Sequence, residues 1–560
     1  MDYNILLGGA AGQGMNTIGS ILEKVIARTG YFIIYTKDYM SRVRGGHNFN
    51  QLRFSEHPLY AQKETLDVMV ALTKETVEIH KERLLPNGKM IVPDEFQMEG
   101  ENIVSLPFKE IAKEIGNPKI FSTVITGTIL KLFNLPVDAA EEILREHFTN
   151  ELLEMNLEAL RRGYALVENQ YTLEEAHKQD RITISGNEAV GLGALAAGCT
   201  FFSAYPMTPG TGIMNYIASK QKEMGIIVEQ AEDEIAALNM VLGASFAGAR
   251  AMTSTSGGGY CLMVEALGLA GIIETPAVIA NVQRPGPATG LPTRTAQGDL
   301  KFVIHAAQDE FPRMVIALRN VEDGFYQTAR AFNLADKYQI PVTLLSDQYL
   351  ADTGVTIEPY DFSKIKIERY LADREEIGEE LYKRYKITEN GISPRIIPGK
   401  IEGQVLLVDS DEHDEFGHII ESDVLRNQMM EKRMKKLQLL GQEVEEPWYV
   451  GSDTLNILVV AWGSTYGPIK EAIELLNKQG KQIGALIYGD VWPLPTKLFR
   501  EYAAKSKIII SVEGNYSGQL ADIIQEQTCI PIEKRLCKYD GRPWSSDEVY
   551  RKIQEVLEYA

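Results

Sequence analysis

The sequence predicts an α/β protein made of several doubly wound domains. Three observations carry that expectation. Short stretches such as YNILLGG, TPAVIANVQ, IPVTLLS and LNILVVAW are apolar almost throughout, as strands buried on both faces of a parallel sheet must be. Helical stretches separate them in a strand–helix–strand rhythm. Loops rich in glycine and proline follow the strand ends, where open parallel sheets place their ligands.

The first block, residues 1–178, opens on strand YNILLGG, loop AAGQG, helix MNTIGSILEKVIARTG and strand YFIIYT. Gly8, Gly9, Gly12 and Gly14 resemble a phosphate cradle at a helix N-terminus. The Rossmann fingerprint is not met, because GQGMNT lacks the third glycine and no acidic residue closes YFIIYT. Arg42 and Arg44 follow on an expected loop with Gly45, Gly46 and His47. Two arginines near a glycine loop suit a diphosphate or another phosphorylated ligand; a solvated or interface loop is the alternative.

A charged linker, EEAHKQDRIT, leads to another α/β block, 182–355, in which short strands alternate with helices. Residues 356–450 are charged and loop-like, with one basic–acidic helix, SDVLRNQMMEKRMKKLQLL. So long a segment is expected to wrap another domain or a partner. The last block, 453–560, begins at TLNILVVAWGSTYG and repeats the strand–helix rhythm.

A net charge of −20 argues against a nucleic-acid partner and makes the chain a poor landing site for an acidic electron carrier. No run reaches the roughly 20 apolar residues of a membrane span, and the N-terminus reads as strand and loop rather than signal peptide, so a cytoplasmic protein is expected. Cys199, Cys261, Cys529 and Cys537 form no CxxC pair. They lack ferredoxin or zinc spacing and read as core thiols. His413 and His418, in DSDEHDEFGHIIE, have a spacing a metal could use. No third ligand is fixed, so the stretch reads as a structural or interface loop, and no metal site is expected.

Three loops of block 182–355 converge on one sheet edge. SAYPMTPGTGIM carries Thr208 on a turn braced by Pro206 and Pro209. TSTSGGGY ends in glycines that allow close backbone approach. NVQRPGPATGLPTRTAQGDL presents Arg284, Thr289, Thr293 and Arg294, and an arginine on a rigid loop suits capture of a carboxylate. Opposite them stands VEQAEDEIAAL, four carboxylates ahead of an Ala- and Gly-rich helix. That helix has hardly a polar face and is expected to be packed on all sides. A carboxylate entering such packing must find a partner or hold a proton.

These loops and helices carry a resemblance. SGNEAVGLGALAAGCTFFSAYPMTPGT, EDEIAALNMVLGASFAGARAMTSTSGGG and QRPGPATGLPTRTAQGDL are similar to the alpha subunit of 2-oxoacid:ferredoxin oxidoreductases, thiamine diphosphate enzymes. Block 1–178 resembles the family's gamma subunit fused ahead of alpha. Block 182–355 resembles a pyrimidine-binding (PYR) domain, and block 453–560 a transketolase C-terminal domain. The gamma–alpha order, with GNYSGQLADII and KYDGRPW, is most like the 2-oxoglutarate enzymes.

By that resemblance Glu234 is the glutamate that faces N1′ of the cofactor's aminopyrimidine. A carboxyl in an apolar pocket has a raised pKa and can share a proton with a ring nitrogen. Glu229, Glu232 and Asp233 stay ordinary helix-start carboxylates. The resemblance places Tyr205, Pro206, Ser256 and Gly257 around the cofactor. It assigns Thr208, Arg284 and Thr293 to the substrate, with Arg294 for a distal carboxylate or coenzyme A. Gly12, Gly14, Arg42 and Arg44 could hold coenzyme A phosphates. The magnesium–diphosphate signature, GDG with a later Asn, is missing from the sequence. A beta-type partner is therefore expected to bring the diphosphate site, Mg2+ and a [4Fe–4S] cluster, to receive ferredoxin, and to pair with this chain as a dimer of heterodimers. The implied reaction converts 2-oxoglutarate and coenzyme A to succinyl-CoA and carbon dioxide. The alternatives are pyruvate, branched-chain or aryl 2-oxoacids as substrates, or a non-catalytic module that binds nucleotide or coenzyme A.

Overall fold

The structure, a computed structural model, describes residues 2–41, 46–174, 176 and 180–558. Arg42, Arg44 and Gly45 lie outside the described residues. The chain divides into two compact units, Met1–Ile184 with Thr353–Pro359 and Ser545–Glu548, and the remainder. No helix among the described residues is long and apolar enough to cross a membrane.

The first unit holds an eight-stranded sheet, in the order Ile103–Leu106, Leu84–Pro93, Leu66–Ala71, Asp2–Gly9, Asn48–Ser55, Phe32–Asp38, Gly354–Ile357, Ile182–Ser185. The strand after the first helix runs on to Asp38, so an acidic residue does close it, contrary to the sequence reading. It pairs antiparallel with Asn48–Ser55, which in turn pairs antiparallel with Asp2–Gly9. That order still excludes the Rossmann unit, which needs its first two strands parallel. His47, expected on the arginine loop, is buried just ahead of Asn48–Ser55, its Nε2 2.8 Å from His80 Nε2. Helices Phe121–Leu132 and Asn150–Tyr164 cross at Gly127 and Gly163, where a Cβ would run into the backbone of Leu160 and Val124.

The other unit contains two sheets. The seven-stranded one runs Asp490–Trp492, Met314–Ala317, Pro341–Asp347, Ala277–Gln283, Ala251–Thr255, Phe201–Ala204, Ile227–Gln230. All neighbours are parallel except Asp490–Trp492, which comes from the last block and pairs antiparallel with Met314–Ala317. The five-stranded sheet runs Trp448–Gly451, Ile483–Tyr488, Ile457–Trp462, Ile508–Glu513, Lys534–Cys537. One apolar core is shared by both sheets, from Leu238 and Tyr260 to Trp462 and Leu520.

The long charged segment is strapped to the seven-stranded sheet's helices by buried ion pairs. Asp336 accepts from Arg250 Nε at 3.0 Å, and from two arginines of the segment, Arg369 Nε at 3.1 Å and Arg395 Nη2 at 2.7 Å. Helix Asp423–Leu440 sends Lys432 and Lys436 inward onto Glu274, all three at most 1% exposed. Arg384 donates to the Glu274 carbonyl at 2.6 Å. Burial pulls Lys432 down to about 7, while its cationic neighbours hold the Glu274 carboxyl well below its usual range. One carboxylate thus serves two lysines, and the loss of either partner is unequal. Glu274→Gln is expected to cost about 3–5 kcal/mol, because it strands both buried ammonium groups. Lys432→Met should cost far less, since Lys436 still neutralises Glu274. Chemical denaturation of the two variants checks this ranking.

Two expectations are corrected here. Only Cys199 is a buried thiol: Cys261 and Cys529 are exposed and Cys537 is intermediate. Residues 256–262 turn into a helix at the sheet edge and Cys529 closes a helix in the left-handed region, so both sulfurs point outward. The helix after VEQAEDE, Glu234–Phe246, is not packed on all sides. Ile235 and Met240 are 48% and 41% exposed, and a Cβ on Gly243 would meet open space.

Candidate active site

Glu234 is the first residue of helix Glu234–Phe246. Asp233 caps that helix, its carboxylate accepting from the Ala236 amide at 2.7 Å. Capping fixes the helix start and turns the next side chain inward. Glu234 is 3% exposed, whereas Glu229 and Glu232 face solvent. Its Oε1 has no hydrogen-bond partner. Burial raises its pKa, with the Asp233 charge adding to the effect. Against it lies the short helix Gly257–Leu262. A Cβ on Gly259 would sit 2.5 Å from Glu234 Oε1 and would collide with Thr255 Oγ1. Glycine here is what lets a second backbone close over the carboxyl. Ser256 Oγ, fully buried just before this turn, is also unpartnered. A buried acid and a buried hydroxyl left open beside a glycine turn fit a polar ring with nitrogen atoms on its edge.

The loop 205–210 stands next to it. Asn187 Nδ2 donates to the Pro209 carbonyl at 3.0 Å and Ser254 Oγ to the Gly210 carbonyl at 3.1 Å, so this loop is held from below. Tyr205 is 41% exposed and Pro206 is exposed, while Thr208 is half-buried. Arg284 reaches across to it, its Nη1 donating to the Thr208 carbonyl at 2.6 Å. Burial lowers the Arg284 pKa, and no carboxylate among the described residues pairs with it. A half-buried guanidinium without a counter-ion is equipped to take a carboxylate.

The arginine loop folds back on itself, Leu291 N to the Pro285 carbonyl at 3.0 Å. Thr293 is buried and Arg294 half-buried further along it. The last block grips the loop's end. Gln297 N donates to the Gly514 carbonyl at 2.7 Å, Gly514 N returns to Gln297 Oε1 at 2.8 Å, and Asn515 Nδ2 donates to the Gln297 carbonyl at 3.1 Å. Thr295 N donates to the Gly541 carbonyl at 3.3 Å. These contacts are not legible from sequence, although GNYSGQL, which supplies Gly514 and Asn515, stands out there as a motif.

The structure thus sets Glu234 against Gly259, in the turn that follows Ser256 and Gly257, and brings Thr208 together with Arg284; Gly257 itself faces Asp299. Gly12 and Gly14 lie in the first unit, where both have positive φ and Gly14 starts helix Met15–Arg28 with no side-chain cap. His413 packs tilted against Tyr385, ring centres 3.8 Å apart, with its ring nitrogens at the carbonyls of Asp414 and Ile272, so it serves packing. No group of three or more potential metal ligands occurs among the described residues.

A parallel sheet with a buried, unpartnered glutamate at its carboxyl edge is an α/β ligand-binding class of fold. The family described as "Pyruvate flavodoxin/ferredoxin oxidoreductase, thiamine diP-bdg" matches residues 192–432. "Pyruvate ferredoxin/flavodoxin oxidoreductase" matches 4–166, and "Pyruvate:ferredoxin oxidoreductase core domain II" matches 456–548. The 2-oxoacid:ferredoxin oxidoreductase alpha subunit of a Sulfolobus species is 33% identical, over 100% of this chain and 97% of the relative. The 2-oxoglutarate synthase subunit KorA of Archaeoglobus fulgidus is 33% identical over 62% of this chain and 92% of its own length. The solved 2-oxoglutarate:ferredoxin oxidoreductase of Magnetococcus marinus, with 2-oxoglutarate, coenzyme A and succinyl-CoA bound, has a TM-score of 0.92 and 34% identity, covering 99% of both chains. The chain belongs to the 2-oxoacid:ferredoxin oxidoreductase family, in the alpha-subunit line.

Proposed function

We propose that the chain is the gamma–alpha subunit of a thiamine-diphosphate-dependent enzyme that oxidatively decarboxylates 2-oxoglutarate, with coenzyme A, to succinyl-CoA and carbon dioxide. The observation that carries this is Glu234 Oε1, buried and unpartnered against Gly259. Glu234 would take the cofactor's aminopyrimidine N1′, with Ser256 and Gly257 lining the ring and Tyr205 and Pro206 bordering it. When bound, thiamine diphosphate supplies a nucleophilic carbon that accepts the keto carbon and stores the electrons freed by decarboxylation. Glu234, its pKa raised by burial, can share a proton with that ring nitrogen and take it back. Arg284 and Thr208 bind the 1-carboxylate and 2-oxo group, with Thr293 within the same loop and Arg294 facing the distal end or coenzyme A. Gly12 and Gly14, at an uncapped helix start, are candidates for the coenzyme's phosphates.

The diphosphate, Mg2+ and the [4Fe–4S] cluster fall to a beta-type partner, since the sequence carries no diphosphate signature and no cluster-spaced cysteines. Docking of that partner would cover the open face at Ile235, Met240 and Gly243, on the helix that Glu234 starts. Ferredoxin then docks on the partner, away from this chain's −20 charge. Its place in the cytoplasm is part of the same reading. The test is carbon dioxide release by the co-purified pair, with coenzyme A and a viologen dye, from 2-oxoglutarate, pyruvate, a branched-chain and an aryl 2-oxoacid. The highest kcat/KM is expected for 2-oxoglutarate; a higher value for a monocarboxylic substrate overturns the substrate assignment, and no turnover of any favours a binding module.

A further inference from the structure

Another carboxyl stands on the far side of the glycine turn. Residues two apart on a helix point about 200° from each other. Gly259 faces Glu234, and Gly257 faces Asp299: a Cβ on Gly257 would lie 2.5 Å from Asp299 Oδ2 and 3.0 Å from its Cγ. Asp299 occupies the N-cap position of helix Leu300–His305 yet makes no capping hydrogen bond with its side chain. An aspartate cap is ordinarily worth about 0.5–2 kcal/mol, so this one is held elsewhere. Asn281 Nδ2 donates to its Oδ2 at 3.1 Å, and its own amide donates to Gln283 Oε1 at 3.0 Å. Gln283 Nε2 is anchored in turn on the Ser346 carbonyl at 3.0 Å. The ladder therefore runs from the sheet's central strands to the flank of Gly257, and Asn281 pairs in register with Thr255, the residue that walls in Glu234.

We propose that Asp299 is a positioning residue for the ring pocket: its carboxyl clamps the Gly257–Gly259 turn from the side opposite Glu234 and sets how closely that turn covers the glutamate. This rests on the assignment of Glu234 above. Burial pushes the Asp299 pKa up, with the Asn281 hydrogen bond pulling the other way, and no basic side chain pairs with it among the described residues. Without the clamp the turn relaxes toward Asp299, water reaches Glu234, and its carboxyl behaves as an ordinary acid.

The test measures hydrogen–deuterium exchange at C2 of the cofactor in the assembled complex, with melting temperature as a check on folding. Asp299→Ala is expected to slow exchange about tenfold, and Gly257→Ala to do the same by overpacking the clamp. In the double variant the methyl added at position 257 takes the place of the lost carboxylate oxygen, and exchange should return to within about threefold of wild type. Asp299→Asn, which keeps the shape, should stay near wild type. Additive losses in the double variant, or wild-type exchange in Asp299→Ala, would overturn the clamp. Unchanged exchange in Glu234→Gln would instead remove the ring pocket itself. Slow exchange there together with additive losses at 257 and 299 removes only the clamp.

Discussion

Glu234→Gln should abolish turnover while leaving the fold in place. The amide has the size of the acid and fits the space beside Gly259 and Thr255. It cannot hold and release a proton at the ring nitrogen, so exchange at C2 of bound cofactor should slow by about 10²–10⁴-fold, the scale of lost general acid–base help. Glu232→Gln should change little, because that side chain faces solvent. Asp233→Asn should also be mild: Asp233 caps the helix through Ala236 N, and Asn caps about as well as Asp. Slow exchange in Glu232→Gln with normal exchange in Glu234→Gln would move the role two residues back.

Arg284→Lys should raise the KM for 2-oxoglutarate about 10- to 100-fold with little loss of cofactor affinity. Arg284 already spends one N–H on the Thr208 carbonyl at 2.6 Å, which leaves the rest of its planar fork for substrate. A lysine reaching the same place must choose between loop and ligand, and it loses the paired geometry. A charged hydrogen bond is worth about 1.5–3 kcal/mol, which sets that range. Steady-state kinetics with 2-oxoglutarate, beside a cofactor titration, separate the two effects; an unchanged KM would take Arg284 out of the substrate site.

What the sequence made legible was local. Apolar runs such as TPAVIANVQ and IPVTLLS are parallel neighbours in the structure, Ala277–Gln283 beside Pro341–Asp347. That a carboxylate of VEQAEDE enters the packing could be asked of the sequence, but which one, Glu234, came from the family resemblance and not from the helix pattern. What escaped was set by contacts distant in sequence. The antiparallel strand Asp490–Trp492 leaves its own block for the neighbouring sheet, and nothing in DVW announces that. Gln297 reads as a loop residue until Gly514 and Asn515 close on it from more than 200 positions away. Nothing in QGDL sets Asp299 apart, and only the fold sets it against Gly257. The open face of helix Glu234–Phe246 escaped for a similar reason. An apolar helix reads the same whether its cover lies in the same chain or in a partner.

That division of the site between two chains is the central claim, and thiamine diphosphate uptake tests it most directly. Titrated with Mg2+ and the cofactor, this chain alone and its partner alone should each bind far below one equivalent, while the assembled pair binds one per pair. Gly243→Arg should stay folded, since its position opens onto solvent, yet block assembly and with it stoichiometric uptake. One full equivalent bound tightly by the isolated chain, or by the Gly243→Arg mixture, would contradict the account.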